Sequence, residues 1–454
     1  MARILIKNVK EIITMNKNRE RLKNADLLIE DGKIKRMGRG IEVEGEVDRT
    51  INGRDYFLFP GLVNLHHHFY QALTRNLPDA QESELFDWLK YLYPIWSRVS
   101  PDAVYYSALL ASGELLKTGC TTTSDHFYVF PKSQPDNLID NQFEAAKEIG
   151  IRFHGTRGSM SLSEKDGGLP PDSVVQTDEQ ILKDSRRVIE KYHDSSPFAM
   201  QRVALAPCSP FSVTEELMIE SVELARDYGV QAHTHLAETK DEEQFVLEKT
   251  GLRPLAYMEK LGWVGSDIWY AHGVHLNSDE LTRMAETGTG VSHCPVSNMK
   301  LSSGAAKVPE MIQKGVPVGL GVDGSASNDS SNMILEMKSA FLLHRLVHGM
   351  KSITAEDVLA LATNGGRDVL SQPEIGSLEV GKAADMFMVN SKRLGFAGGL
   401  YDPVSAIINT GDTQIVDYTI VNGEIVVEDG ELTRVDEDEI IAKANSISAK
   451  MVEG

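Results

Sequence analysis

The chain has 454 residues, with 66 Asp and Glu against 46 Lys and Arg and a formal net charge of −20. That length allows one deep core or a few ordinary domains, while the acidity argues against a nucleic-acid partner and leaves a small molecule as the expected ligand. Three widely spaced cysteines, Cys120, Cys208 and Cys294, give no disulfide framework; Arg3, Lys7, Lys10 and Glu11 interrupt the first apolar stretch, and no run has membrane-spanning length, so a cytoplasmic protein is expected.

The first clear element is a hairpin, ADLLIEDGKIKRMG (Ala25 to Gly38), and its counterpart near the other end is DYTIVNGEIVVEDG (Asp417 to Gly430). Each sets Asp-Gly or Asn-Gly between β-prone runs. With GSLEVGKAADMFMVN as further strand material, they predict a small β-sandwich domain built from residues 1–59 plus 373–440, followed by a helical tail over 441–454.

Between those ends, residues 60–372 alternate short apolar runs with helical stretches, such as one opened by Ser212 and Glu215 in capping-box spacing and closed by Gly229. The rhythm is that of a parallel sheet, and the eight strand candidates predict an α/β fold, a (β/α)8 TIM-like barrel, with the site at the strands' C-terminal ends. Those ends carry His68, His126, Arg157, Cys208, His235, His272, His293 and Asp323. Residues 164–173, rich in Gly and Pro, form either a lid or a plain connector.

In PGLVNLHHHFYQ an extended backbone points His66 and His68 one way and His67 the other. Two imidazoles at that spacing can chelate one metal ion. In HTHLAE, His233 and His235 share a face, and period two does not choose between them; His235 lies nearer the strand end and is the favoured ligand, with His233 a layer deeper, hydrogen-bonded to a neighbour. YAHGVHL adds His272, and GLGVDGSASND adds Asp323. GLGVDG also fits a dinucleotide fingerprint, but it comes late and lacks the acid expected about 20 residues on. PCSPF lacks the second cysteine of a P-C-x-x-C zinc signature, and no H-E-x-x-H occurs.

PGLVNLHHH, HTHLAE, AHGV, SHCPVSNMKLSSG and GVDGSASND together resemble the amidohydrolase superfamily, in its mononuclear deaminase and chlorohydrolase branch, over nearly the whole chain. The resemblance implies His66, His68, His235 and Asp323 as ligands of one divalent ion, zinc with iron as the alternative. It implies Glu238 as general acid/base, His272 as the histidine that polarises the attacking water, and Asp323 as a hydrogen-bond acceptor for that water as well as a ligand. Leu65 stands where the branch usually has Thr.

HHHFYQALTRNLP, TTTSDHFYVFP, RFHGTRGSMS, GGLPPDSVV and APCSPFSV resemble the branch's deaminases that convert 8-oxoguanine and water to urate and ammonia. That implies a heterocyclic small-molecule substrate beside Gln71, where guanine deaminases place a purine-binding glutamine. Cys208 replaces an arginine of those enzymes. Arg157 either supplies the missing positive donor or forms a rim salt bridge, and Trp88 either lies on the ring or anchors a helix. No nucleic acid or membrane partner is expected, and the assembly is expected to be a homo-oligomer. The alternatives are an s-triazine amino- or chlorohydrolase, a deaminase of guanine, isoguanine or isoxanthopterin, and a metal-free scaffold.

Overall fold

The computed structural model describes residues 3–454. Its strands are β1 (Ile4–Ile13), β2 (Arg21–Glu30), β3 (Lys33–Gly38), β4 (Arg49–Asn52), β5 (Tyr56–Pro60), β6 (Leu62–Asn64), β7 (Cys120–Phe127), β8 (Arg152–Ser159) and β9 (Gln201–Pro207). They continue as β10 (Gln231–Leu236), β11 (Ile268–His272), β12 (Gly290–His293), β13 (Val318–Leu320), β14 (Met386–Asn390), β15 (Val416–Val421), β16 (Glu424–Glu428) and β17 (Glu431–Leu432).

Strands β6 to β13 run parallel and close into a barrel in chain order, with Leu320 of β13 pairing back onto Asn64 of β6. Helices cover the outside, as a parallel sheet buried on both faces requires. The helix Glu215–Tyr228 is capped by Thr214, whose hydroxyl accepts the N–H of Leu217, and not by Ser212, which pairs with Ser209 at 2.6 Å. Gly229 ends it with φ 66°, as its position predicts.

The remaining nine strands form one sheet in the order β17-β16-β15-β14-β5-β1-β2-β3, with β4 beside β1. Its seam joins the two chain ends: β14 lies antiparallel to β5, with Met386 opposite Pro60 and Asn390 opposite Tyr56. Both hairpin turns have two consecutive positive φ values, 52° and 75° at Asp31-Gly32 and 48° and 79° at Asn422-Gly423, as primed turns demand. The turns touch, since a Cβ on Gly423 would lie 2.9 Å from the Gly32 Cα. The sheet wraps its own apolar cluster, including Ile6, Leu27, Leu58 and Met386, separate from the barrel's core.

The last helix, Glu437–Glu453, begins ahead of residue 441 because the Asp436 carboxylate accepts the N–H groups of Asp438 and Glu439. Arg98 pins its far end through the Met451 carbonyl at 2.7 Å. Residues 164–173 form short turns that line none of the cavity described below. Among the described residues, no helix is long and apolar enough to cross a membrane.

Candidate active site

Strand β6 ends at Asn64, but the chain stays extended through His68, tied by Leu65 N–H to the Leu320 carbonyl and by Asp323 N–H to the His66 carbonyl. Alternation therefore persists. His66 and His68 turn inward with ring centroids 4.7 Å apart, and His67 turns outward to Ser331 Oγ at 2.9 Å.

Opposite them, His235 comes from β10. The Nδ1 atoms of His68 and His235 donate to the backbone carbonyls of His126 (2.7 Å) and Cys208 (2.6 Å), which leaves their Nε2 atoms facing each other at 3.2 Å as acceptors. Asp323 Oδ1 lies 3.4 Å from His66 Nε2 and 3.3 Å from His68 Nε2, and His66 Nε2 is buried without a hydrogen-bond partner. Burial pushes the pKa values of all three imidazoles below the ordinary range, so they are neutral. Lone pairs that repel one another thus converge on one point. A cation removes that repulsion, and imidazole nitrogens with one carboxylate suit a divalent transition metal. The donor atoms fall into two overlapping groups, His66, His68, His126 and His235, and His66, His272 and Asp323, each within 4.8 Å of one another.

The acid-base residues sit beside this cluster. Ala237, His272 and Asp323 have φ values of 54°, 74° and 62°, uncommon for non-glycine residues, and these bends at strand ends aim the neighbouring side chains into the barrel mouth. The Glu242 carboxylate accepts the N–H groups of Ala237 and Glu238, 2.7 Å each, and so fixes the turn that presents Glu238. Burial, then the charges of Asp323 and Glu242, raise the Glu238 pKa well above the usual carboxylate range, which favours its protonated form. Its Oε2 lies 3.5 Å from His272 Nε2. Burial lowers His272 to about 4, so that ring is neutral too.

Three contributors were not singled out from sequence. On the short helix Pro295–Lys300 after β12, Ser297 donates to Asp323 Oδ2 at 2.5 Å, and the Asn298 amide lies 3.0 Å from His272 Nδ1. Tyr128, two residues beyond His126 and just past the end of β7, sets its ring edge-on to His68 at 5.1 Å; period two continued past the strand end was the signal for it.

The cavity above the cluster has apolar walls of Leu85, Trp88, Leu89, Tyr93 and Phe211, with Gln71, Cys208, Ser209 and Ser212 as polar lining. Gln71 Oε1 is buried without a partner. Burial pushes the Cys208 thiol up to about 12, making it a neutral wall. Arg157 is not brought to the cavity. It projects to the outside of β8, where its donors are taken by Asp184 (2.9 Å), Gln176 (2.8 Å) and the Gly158 carbonyl (2.6 Å), which corrects the expectation of a lactam-oxygen donor and replaces it with a buried ion pair. His293 likewise turns to His344, with Nε2 atoms 3.0 Å apart.

A closed parallel barrel with histidines, an aspartate and a buried glutamate gathered at its strand ends is the architecture of a metal-dependent hydrolase. Residues 57–426 match the family model described as Amidohydrolase family. The chain is 45% identical over 429 residues to 8-oxoguanine deaminase of Pseudomonas aeruginosa, covering 94% of this chain and 95% of that protein. It is 38% identical over 447 residues to hydroxydechloroatrazine ethylaminohydrolase of Pseudomonas sp. strain ADP, covering 95% and 92%. Its structure matches that of atrazine chlorohydrolase from Arthrobacter aurescens TC1 complexed with zinc, with a TM-score of 0.93 and 31% identity over 98% of this chain and all of that one. The chain belongs to the amidohydrolase family and is a hydrolase of carbon–nitrogen bonds.

Proposed function

We propose that the chain is a zinc-dependent aminohydrolase that converts 8-oxoguanine and water to urate and ammonia, with His66, His68, His235 and Asp323 holding the ion. The observation that carries the purine reading is the unpartnered Gln71 Oε1 on the cavity wall beside the histidine cluster. An amide offers one acceptor and two donors, which matches the mixed edge of an aminopurine, and the likeness to 8-oxoguanine deaminase points the same way.

The ion, when bound, would acidify water and offset negative charge on the oxygen that adds to the reacting carbon. Gln71 orients the ring, while Trp88, Leu89 and Tyr93 exclude bulk water from its faces. Glu238 gives its proton to the ring nitrogen next to the amino-bearing carbon, takes one from the incoming water, and passes it to the departing amine. His272 Nε2 and Asp323 steer the water toward that carbon. As ammonia leaves, the hydroxyl on that carbon returns its proton to Glu238 and becomes the carbonyl, which restores the starting acid.

Ammonia release from 8-oxoguanine is expected to exceed that from guanine, isoguanine, isoxanthopterin and aminotriazines by at least about tenfold in kcat/KM. Chloride or alkylamine release from a triazine, with no turnover of purines, would replace this reading by the second one, supported by the ethylaminohydrolase relative. Glu238→Gln is expected to keep the metal and lose about 10²–10⁴ in kcat; unchanged turnover removes Glu238 from the chemistry, and a metal-free native protein would leave only a scaffold.

We also place the protein in the cytoplasm, where its three buried free thiols are stable. We assign it a homo-oligomeric state through the apolar face of the helix Met333–His348, where Leu346 is 85% and, just beyond, Met350 70% exposed. Light scattering of the parent against Leu346→Glu tests that face; a monomeric parent rules it out.

A further inference from the structure

We propose that His233 is a positioning residue that fixes the tautomer of His66, and thereby the affinity of the histidine–aspartate cluster for its metal; the inference rests on the metal-dependent reading above. A ligand imidazole binds metal through a bare nitrogen, and the partner of its other nitrogen decides which one is bare. His68 and His235 have backbone carbonyls in that role, whereas His66 has a side chain: its Nδ1 lies 2.8 Å from His233 Nε2.

The direction of that bond follows from the next link. His233 Nδ1 lies 2.9 Å from the Trp269 carbonyl oxygen, which only accepts, so the hydrogen of His233 is on Nδ1. Its ring is fully buried and stacked on the Trp269 indole, with centroids 4.4 Å apart and planes 15° apart, surroundings that favour a neutral ring with a bare Nε2. His66 Nδ1 must therefore donate. That leaves His66 Nε2 bare, the atom facing Asp323 Oδ1. The relay is anchored at both ends, because the Trp269 indole N–H donates to the carbonyl of Leu65, the residue before His66, at 3.2 Å. A carboxylate in place of His233 would do the same work but add a negative charge in a dry layer.

Zinc affinity, read by competition with a chromophoric chelator, separates the alternatives when the apoprotein melting temperature is recorded beside it. His233→Leu is expected to weaken zinc binding about 10–100-fold, and His233→Asn, whose amide ends short of His66, to do the same. His233→Gln, whose amide oxygen reaches the Nε2 position, is expected to stay near the parent value. Equal affinity in all three, or equal loss in all three, overturns the proposal, since packing alone would lower melting temperatures without sorting Gln from Asn. A crystal structure of the parent zinc protein serves where variants fail to fold: His66 bound through Nε2 with Nδ1 on His233 is expected, and ligation through Nδ1 overturns it. A parent without metal sinks the functional reading, whereas tight zinc in His233→Leu sinks only the role of His233.

Discussion

At Gly324 the absence of a side chain makes room for the putting in place of Gln71. A Cβ there would lie 1.9 Å from Gln71 Oε1, while the backbone, at φ −70° and ψ 142°, is open to any residue, so the demand is for space and not for glycine's freedom. Gly324→Ala is expected to swing the amide away from the cavity and raise KM for the purine about 3–10-fold, the worth of one neutral hydrogen bond, with metal content unchanged. Steady-state kinetics with metal analysis checks it; an unchanged KM would mean the amide does not meet substrate. The amide's place was legible in sequence three residues after His68, whereas its clearance by a residue far along the chain was not. Arg157 is the reverse case. His154 packs near Trp269 inside the barrel, with ring centroids 5.7 Å apart, so strict alternation already sets Arg157 on the other face of β8, toward Asp184; the appeal of a cation near the strand end hid it.

Among elements, β7 shows how an outward residue supports an inward one. Asp125 accepts the Phe69 N–H at 2.6 Å and the Gln142 amide at 2.7 Å, tying β7 to the segment after His68 and to the helix Asp140–Ile149. Burial pushes its pKa up to about 8 from 3.8. Between those values the unfolded chain releases the proton and the folded chain keeps it, so the unfolded state binds fewer protons and stability falls as pH rises; above about 8 both forms are ionised and the slope ends. Asp125→Asn removes that contribution. Its carbonyl oxygen accepts the Phe69 N–H, and its amide finds the Gln142 Oε1, which has no partner in the parent. From pH 5 to pH 8 the parent is expected to lose about 1–4 kcal/mol more unfolding free energy than the variant. Parallel denaturant curves at both pH values would refute it. Sequence marks this strand through TTTSDH, but whether Asp125 or His126 faces inward depends on where the strand starts, and a frame shift of one exchanges them.

For the whole molecule, the two hairpins announced that both ends build one sheet, because Asp-Gly and Asn-Gly carry turn chemistry in two residues. The sheet joins the barrel through apolar side chains such as Phe57, Phe59, Phe387 and Val427, which belong to the barrel's core cluster, and through one buried ion pair that no local pattern reveals. Asp385, just before β14, receives Arg152 Nε at 3.0 Å and Nη2 at 3.1 Å, and also the Asn422 N–H of the second hairpin turn at 2.7 Å. Arg152 spends its remaining donor on the Phe198 and Ala199 carbonyls, and both charged side chains are at most 2% exposed. Arg152 is the first residue of β8, so the junction lies at the end of the barrel opposite the site. Asp385→Ala leaves a guanidinium buried without its counter-charge and is expected to cost about 3–5 kcal/mol. Asp385→Asn keeps an acceptor for Asn422 and one for Arg152, so its loss is expected to be smaller. Denaturant unfolding of the metal-loaded protein ranks parent, Asn and Ala, while kcat of the folded fraction is expected to stay at the parent value in all three. A cost below about 1 kcal/mol for Asp385→Ala would mean that water reaches the guanidinium and that the apolar contacts, not the ion pair, hold sheet to barrel. A fall in kcat without a fall in stability would place the junction in communication with the opposite end, against the separation the fold describes.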